Sequence, residues 1–147
     1  MSATPADRAF WDTSAVVPLC CRQDDSQVTR RLLKRYARAI VWWGASVEAV
    51  SAFNHLAREG KLTAKGLKQA AARLEVLRRT WSEVLPTDRV RQLAEGVPEQ
   101  YGLRALDSFQ LAAALVWCRE RLRQRIFVCL DERLSEAAAK AGFDVAP

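Results

Sequence analysis

The stretch IFVCLDERLSEAAAKAGFDV, residues 126–145, decides the fold. Its opening run IFVCL is apolar without a break, as in a strand buried on both faces. Asp131 closes that run where a helix would begin. ERLSEAAAKAG then reads as a short helix that stops at Gly142, a residue suited to the left-handed turn that ends many helices. FDV follows as a final edge strand or tail. A buried strand, an acid and a glycine-stopped helix are the parts of an α/β protein with a parallel sheet.

The same order recurs at the other end of the chain. AFWDTSAVVPL, residues 9–19, sets Asp12 behind a short strand at about 8–11, after a loose leader. Thr13 and Ser14 lead into AVVPLCC, the first turns of a helix interrupted at Pro18. DDSQVTRRLLKRYARA, 24–39, is helical, with Val28, Leu32, Tyr36 and Ala39 on one face and Arg30, Arg31, Lys34, Arg35 and Arg38 over the rest. AIVWW, 39–43, is a strand closed by Gly44. Its two tryptophans point to opposite faces, so either both are covered or one reaches a surface where a second copy docks.

Two helices follow as an αα-hairpin. ASVEAVSAFNHLAREG, 45–60, places Val47, Val50, Asn54 and Ala57 on one face. LTAKGLKQAAARLEVLRRTW, 62–81, starts at Thr63 and carries the stripe Leu67, Ala70, Leu74 and Leu77, with Trp81 expected in the core. SEVLP, 82–86, is a strand. DRVRQLAEGV is helical to about Gly96, and PEQYG is a loop. DSFQLAAALVWCRERLRQ, 107–124, is a long helix with Leu111, Leu115, Cys118 and Leu122 inward. Strands alternate with helices throughout, without repeats or an interdomain linker. The expected architecture is a three-layer α/β/α sandwich around a central parallel sheet.

The chain has 147 residues, which suits a single domain over 1–147 with its core at about 8–146. Half of its residues are hydrophobic and 27% are charged, which excludes disorder of the whole chain. Cys20, Cys21, Cys118 and Cys129 contain no CxxC pair, which excludes a zinc knuckle or a thioredoxin-like site. Reduced thiols, no apolar leader and no run of about 18 apolar residues lead to the expectation of a cytoplasmic protein without a membrane span. The net charge of +6 favours a polyanionic partner.

Four acids share one setting. Asp12 and Asp131 each close a strand and open a helix. Asp107 opens the helix DSFQLAAAL, and Glu48 stands in the first turn after AIVWW. In a covered parallel sheet these positions lie at the carboxyl edge, where ligands bind. Each acid also has an ordinary explanation. Aspartate caps helices, glutamate favours a first turn, and DSFQ has the spacing of a capping box through Gln110. Converging carboxylates repel one another unless a cation or a raised pKa relieves them, and an oxygen-only set suits Mg²⁺ or Mn²⁺. His55, mid-helix beside Asn54, is not read as catalytic.

WDTSAVVPL, ASVEAVSAF, LRALDSFQLAAAL and FVCLDERLSEAAAKAGFDV, in that order and spacing, resemble the motifs of the PIN domain, and within it the VapC-like toxin ribonucleases. The resemblance runs from about residue 8 to 146. It implies that Asp12, Glu48, Asp107 and Asp131 bind Mg²⁺ or Mn²⁺ and direct water at RNA phosphodiesters, with Thr13 and Ser14 in support. It also implies a homodimer and a cognate antitoxin that covers the site. Many members have histidine in place of Gln110, and threonine or serine in place of Cys129. Neither change removes a carboxylate, though Cys129 implies a changed hydrogen bond beside Asp131.

Basic residues supply the contacts a nuclease needs. Arg104, three residues before Asp107, is the substrate-binding candidate. The Arg30–Arg38 cluster is either a wider RNA track or a solvated helix face. The rival reading of the whole pattern is an inactive RNA-binding or protein-interaction module on the same fold, in which the acids only cap helices.

Overall fold

The computed structural model describes residues 7–119 and 125–147. The leader up to residue 6 and Leu122 lie outside the described residues. The long helix expected over 107–124 instead runs Ala105–Trp117 and is capped at Cys118. The element order is β1 (Arg8–Trp11), α1 (Thr13–Cys20), α2 (Ser26–Arg35), β2 (Arg38–Trp42), α3 (Ala45–Arg58), α4 (Ala64–Arg78), β3 (Ser82–Val84), α5 (Asp88–Tyr101), α6 (Ala105–Trp117), β4 (Ile126–Val128), α7 (Glu132–Lys140) and β5 (Asp144–Ala146). The five strands form one parallel sheet in the order β3-β2-β1-β4-β5. The final segment is therefore an edge strand, shifted by one residue from FDV to Asp144–Ala146.

Helices cover both faces, as the uninterrupted apolar strands require. Ala9, Trp11, Val41 and Val128 pack under α1, α3 and α4, against Val16, Phe53 and Leu74. Phe10, Ile40, Trp42 and Phe127 face α5, α6 and α7, against Val90, Leu111 and Leu134. Phe127 stacks on Phe10 at 5.3 Å and meets Phe143 at 5.4 Å. The arrangement is a three-layer α/β/α sandwich. Among the described residues no helix is long and apolar enough to cross a membrane.

Several local expectations are corrected. Helix α1 runs through Pro18 without interruption. The proline forfeits one backbone bond, and the burial of Ala15, Val16, Val17 and Cys20 outweighs it. PEQYG is not a loop: α5 continues through Pro98 to Tyr101, because Val90, Ala94 and Val97 bury along one side. Gly102, at φ 68°, ends that helix in the left-handed region. Helix α2 stops at Arg35, and Ala39 belongs to β2. Val47 and Val50 face outward, with Val47 70% exposed, while Ala45, Ala49 and Phe53 face the core. Trp42 is buried and stacks on Phe109 at 5.3 Å, whereas Trp43 is exposed. Trp81 lies beyond α4, half-buried, and donates to Glu83 Oε2 at 3.1 Å.

Phe127 is the ring on which this core closes. Phe127→Ala is expected to cost about 3–5 kcal/mol in denaturant unfolding, from lost transfer energy and the cavity left behind. Val76→Ala, at an exposed site of α4, is expected to change stability by less than about 0.5 kcal/mol.

Candidate functional site

The strand order reverses direction at β1: the chain leaves β1 toward β2 on one side and returns to β4 on the other. The crevice at such a switch point opens past the carboxyl ends of the strands. Asp12 follows β1 there, and its amide still donates to Val128 O of β4 at 2.9 Å. Asp131 follows β4. Glu48 stands in the first turn of α3, after β2.

Asp107 arrives differently from the sequence expectation. Helix α6 starts at Ala105 with Arg104 as its cap residue, so Asp107 lies in the first turn and is not the cap. The capping box is also absent, because Gln110 points into the protein. It is fully buried, and its Nε2 donates to Thr13 Oγ1 at 3.0 Å and to Glu48 Oε2 at 3.1 Å.

Asp12 and Asp131 do cap helices. Asp12 Oδ2 accepts from the Ser14 amide at 3.1 Å, and Asp131 Oδ1 accepts from the Leu134 amide at 2.8 Å. Ser14 thus anchors Asp12 directly, and its Oγ accepts from the Leu130 amide at 3.0 Å, tying α1 to the β4 turn. Thr13 engages Gln110 instead. The Cys129 thiol lies 3.6 Å from Asp12 Oδ2 and 3.4 Å from the Asp131 carbonyl oxygen. Its contact therefore reaches Asp12 as well as the neighbourhood of Asp131. Burial and the Asp12 charge push that thiol up to about 12, so it stays protonated and can donate.

The four acids act on one another. Burial, opposed by hydrogen bonds from Ser14 and aided by the charge of Asp107, lifts Asp12 to about 6. Burial and the charges of Asp12 and Asp107 lift Glu48 to about 7, against the Gln110 hydrogen bond. Asp107 is also raised, by burial and by Asp131, while Arg104 and Arg133 oppose the shift. Acids delivered by β1, α3, α6 and the β4 turn thus occupy one electrostatic neighbourhood.

No family model matches the chain, and no curated protein matches it. Among solved structures, a toxin-antitoxin complex from Klebsiella pneumoniae is similar in fold. The TM-score is 0.59 at 11% identity, over 84% of this chain and 86% of that one. At that identity the likeness is one of fold.

The donor types fit a hard divalent cation, because carboxylate oxygens are the ligands such ions prefer. Among the described residues, however, no three acidic, histidine or cysteine side chains are gathered closely enough to hold one ion. Mg²⁺ commonly takes only one or two carboxylates and keeps several waters, so two of the acids suffice for that geometry.

Sequence reasoning missed two residues. Arg133 bears on Asp107 from the first turn of α7, and its only signal was its place two residues after Asp131. In the sequence Gln110 shows only the spacing of a capping-box partner and a departure from the histidine of many PIN-domain proteins. Arg38, taken with the α2 cluster, instead sits at the amino end of β2 and pairs with Asp7 at 3.4 Å, on the edge opposite the acids. His55 is exposed and pairs with Glu59 at 3.0 Å.

The raised acids fix the sign of a pH effect. A carboxyl group whose folded pKa exceeds its unfolded value loses stabilisation as pH rises between the two. For Asp12 that window runs from its ordinary 3.8 to about 6. In metal-free protein Asp12→Asn, which keeps the helix cap, is expected to stabilise the fold at about pH 7.5 and to change it little at about pH 4. Denaturant titrations in chelator at both pH values measure this. An equal effect at the two would refute the burial argument.

Proposed function

We propose that the chain is a metal-dependent endoribonuclease that acts as the toxin of a toxin–antitoxin pair. The supporting observation is that Asp12, Glu48 and Asp107 are all raised at one sheet edge, chiefly by burial and in part by neighbouring acids, with Asp131 acting on Asp107. A cluster of acids that resist ionisation together is a site that gains from a cation. The likeness in fold to a toxin-antitoxin complex supports the same reading.

On this reading Mg²⁺ or Mn²⁺ binds among Asp12, Glu48, Asp107 and Asp131, with two of them as direct ligands and the others acting through bound water. A bound ion of that kind supplies an activated water and neutralises charge on a phosphodiester. Ser14 and Cys129 keep the Asp12 carboxylate turned toward the crevice. Arg104 and Arg133, the two cations that bear on Asp107, hold neighbouring phosphates, and the net charge of +6 draws RNA to the protein.

The antitoxin belongs in the groove beside the acids. That groove has a volume of about 570 Å³ and is lined by Val17, Val47, Ala52 and Leu106, with Glu48 and Arg58 also on its wall. Val47 and Leu106 are 70% and 61% exposed, an apolar surface that a bound protein segment would cover. A homodimer is proposed to cover Trp43 and Leu85, which are also exposed.

The capping bonds that Asp12 and Asp131 make to the Ser14 and Leu134 amides favour a second reading, an inactive binding module. RNA cleavage with Mn²⁺ separates the two. Asp12→Asn and Asp107→Asn are each expected to lower the rate by about 100-fold or more, as loss of a metal carboxylate does. Equal rates for wild type and both variants would leave the binding module. Arg104→Ala is expected to raise KM with kcat little changed and to reduce the salt dependence of KM.

A further inference from the structure

Gln110 is an unusual resident of the core. It stands on α6 immediately before Leu111, Ala112, Ala113 and Ala114, all fully buried, and it is itself 0% exposed. Its amide makes two hydrogen bonds, both through Nε2, to Thr13 and Glu48. Its Oε1 is buried without any partner. A buried carbonyl oxygen without a protein partner is a cost that an apolar side chain of the same size would avoid. Packing alone therefore does not account for an amide at this position.

The direction of the amide matters. Nε2 faces Glu48 Oε2, the orientation that an ionised carboxylate, which only accepts hydrogen bonds, would require. Thr13 Oγ1 receives the second N–H and so fixes the rotation of the amide. Thr13 is the first residue of α1, next to Asp12, and Gln110 is one turn beyond Asp107 on α6. One buried amide thus joins three of the acid-bearing elements: β1–α1, α3 and α6. Glu48 Oε2 is occupied by this bond, which leaves Oε1 as the oxygen free to meet a cation.

We propose that Gln110 is a positioning residue that orients Glu48 for divalent-cation binding, with Thr13 setting the angle of its amide. The inference rests on the metal-site reading given above. It assigns the partly buried Glu48 a fixed rotamer, where a lone glutamate in a first turn would sample several.

The test is a double-mutant cycle on Mn²⁺ affinity, read by titration calorimetry on the full chain. Gln110→Met keeps the volume and removes both N–H donors. In the unsubstituted background it is expected to weaken Mn²⁺ binding by about 10-fold, the lower end for loss of a ligand-orienting partner. In a Glu48→Ala background the same change is expected to alter affinity by less than about 2-fold, because the residue it orients is gone. Thr13→Val offers a second route to the same coupling if Gln110→Met does not fold, as judged by its thermal melt.

An equal loss in both backgrounds would show that Gln110 acts through packing and would overturn the proposal. Undiminished Mn²⁺ affinity in Gln110→Met would overturn it as well. Absence of saturable Mn²⁺ binding by the unsubstituted chain would overturn the metal reading itself, and this inference with it.

Discussion

Strand β1 is four residues long, and it must satisfy both of its edges and both of its faces. Its backbone pairs with β2 on one side and β4 on the other. Ala9 and Trp11 fill one core, and Phe10 fills the other. Everything nearby follows from that position. The strand is too short and too enclosed to end in water, so the chain must leave it through a helix whose first amides need a partner. Asp12 supplies that partner. It is buried because β1 is central, and burial is the largest cause of its resistance to ionisation.

The site therefore carries two demands that oppose each other. A helix cap favours an ionised aspartate, since charge strengthens the bond to the Ser14 amide. Burial and the neighbouring charge of Asp107 favour the neutral acid. The second pair of influences wins in the isolated chain and lifts Asp12 from its ordinary 3.8 to about 6. Asp131 has the same capping duty at the more open end of β4. Placing acids at helix starts lets the fold use them structurally even while they crowd one another, which limits what the cluster costs.

Much of this was legible in the sequence, for identifiable reasons. Unbroken apolar runs followed by an acid mark buried parallel strands, and the expected strands all appear. Asp12 was readable because strand and helix meet at that single residue, and Asp131 because it immediately precedes α7. Asp107 was displaced by one turn, because Arg104 caps α6 without any side-chain hydrogen bond that a capping pattern would reveal. Gln110 was hidden for a related reason. The spacing of DSFQ is that of a capping box, and only the burial of α6 on both sides turns the amide inward. Pro18 and Pro98 misled in the opposite sense, since local propensity marks a break where tertiary burial sustains the helix. The outward turn of Val47 and Val50 was not legible either: the apolar side of α3 that packs inward is built of Ala45, Ala49 and Phe53, and its small residues leave a weak stripe.

On the nuclease reading, the electrostatics also impose an order of events. RNA presents phosphates, and four acids at the sheet edge repel them. The chain's own excess of +6 acts over the whole surface, while Arg104 and Arg133 are the cations that bear on Asp107 itself. Two guanidinium groups do not neutralise four carboxylates once all are ionised. Raised pKa values lessen that imbalance only by making the acids poorer ligands, because a protonated carboxyl binds a metal weakly. On that reading the cation would precede the RNA. Held by Asp12 and Glu48, it would favour their ionised forms and offset the charge that repels a phosphodiester. A protein segment that laid a guanidinium or ammonium group among the same acids would satisfy them equally well and exclude the metal. The groove along Val17, Val47, Ala52 and Leu106, which reaches Glu48, gives such a segment its apolar footing. Inhibition by a partner and activation by a metal would thus compete for the same four charges.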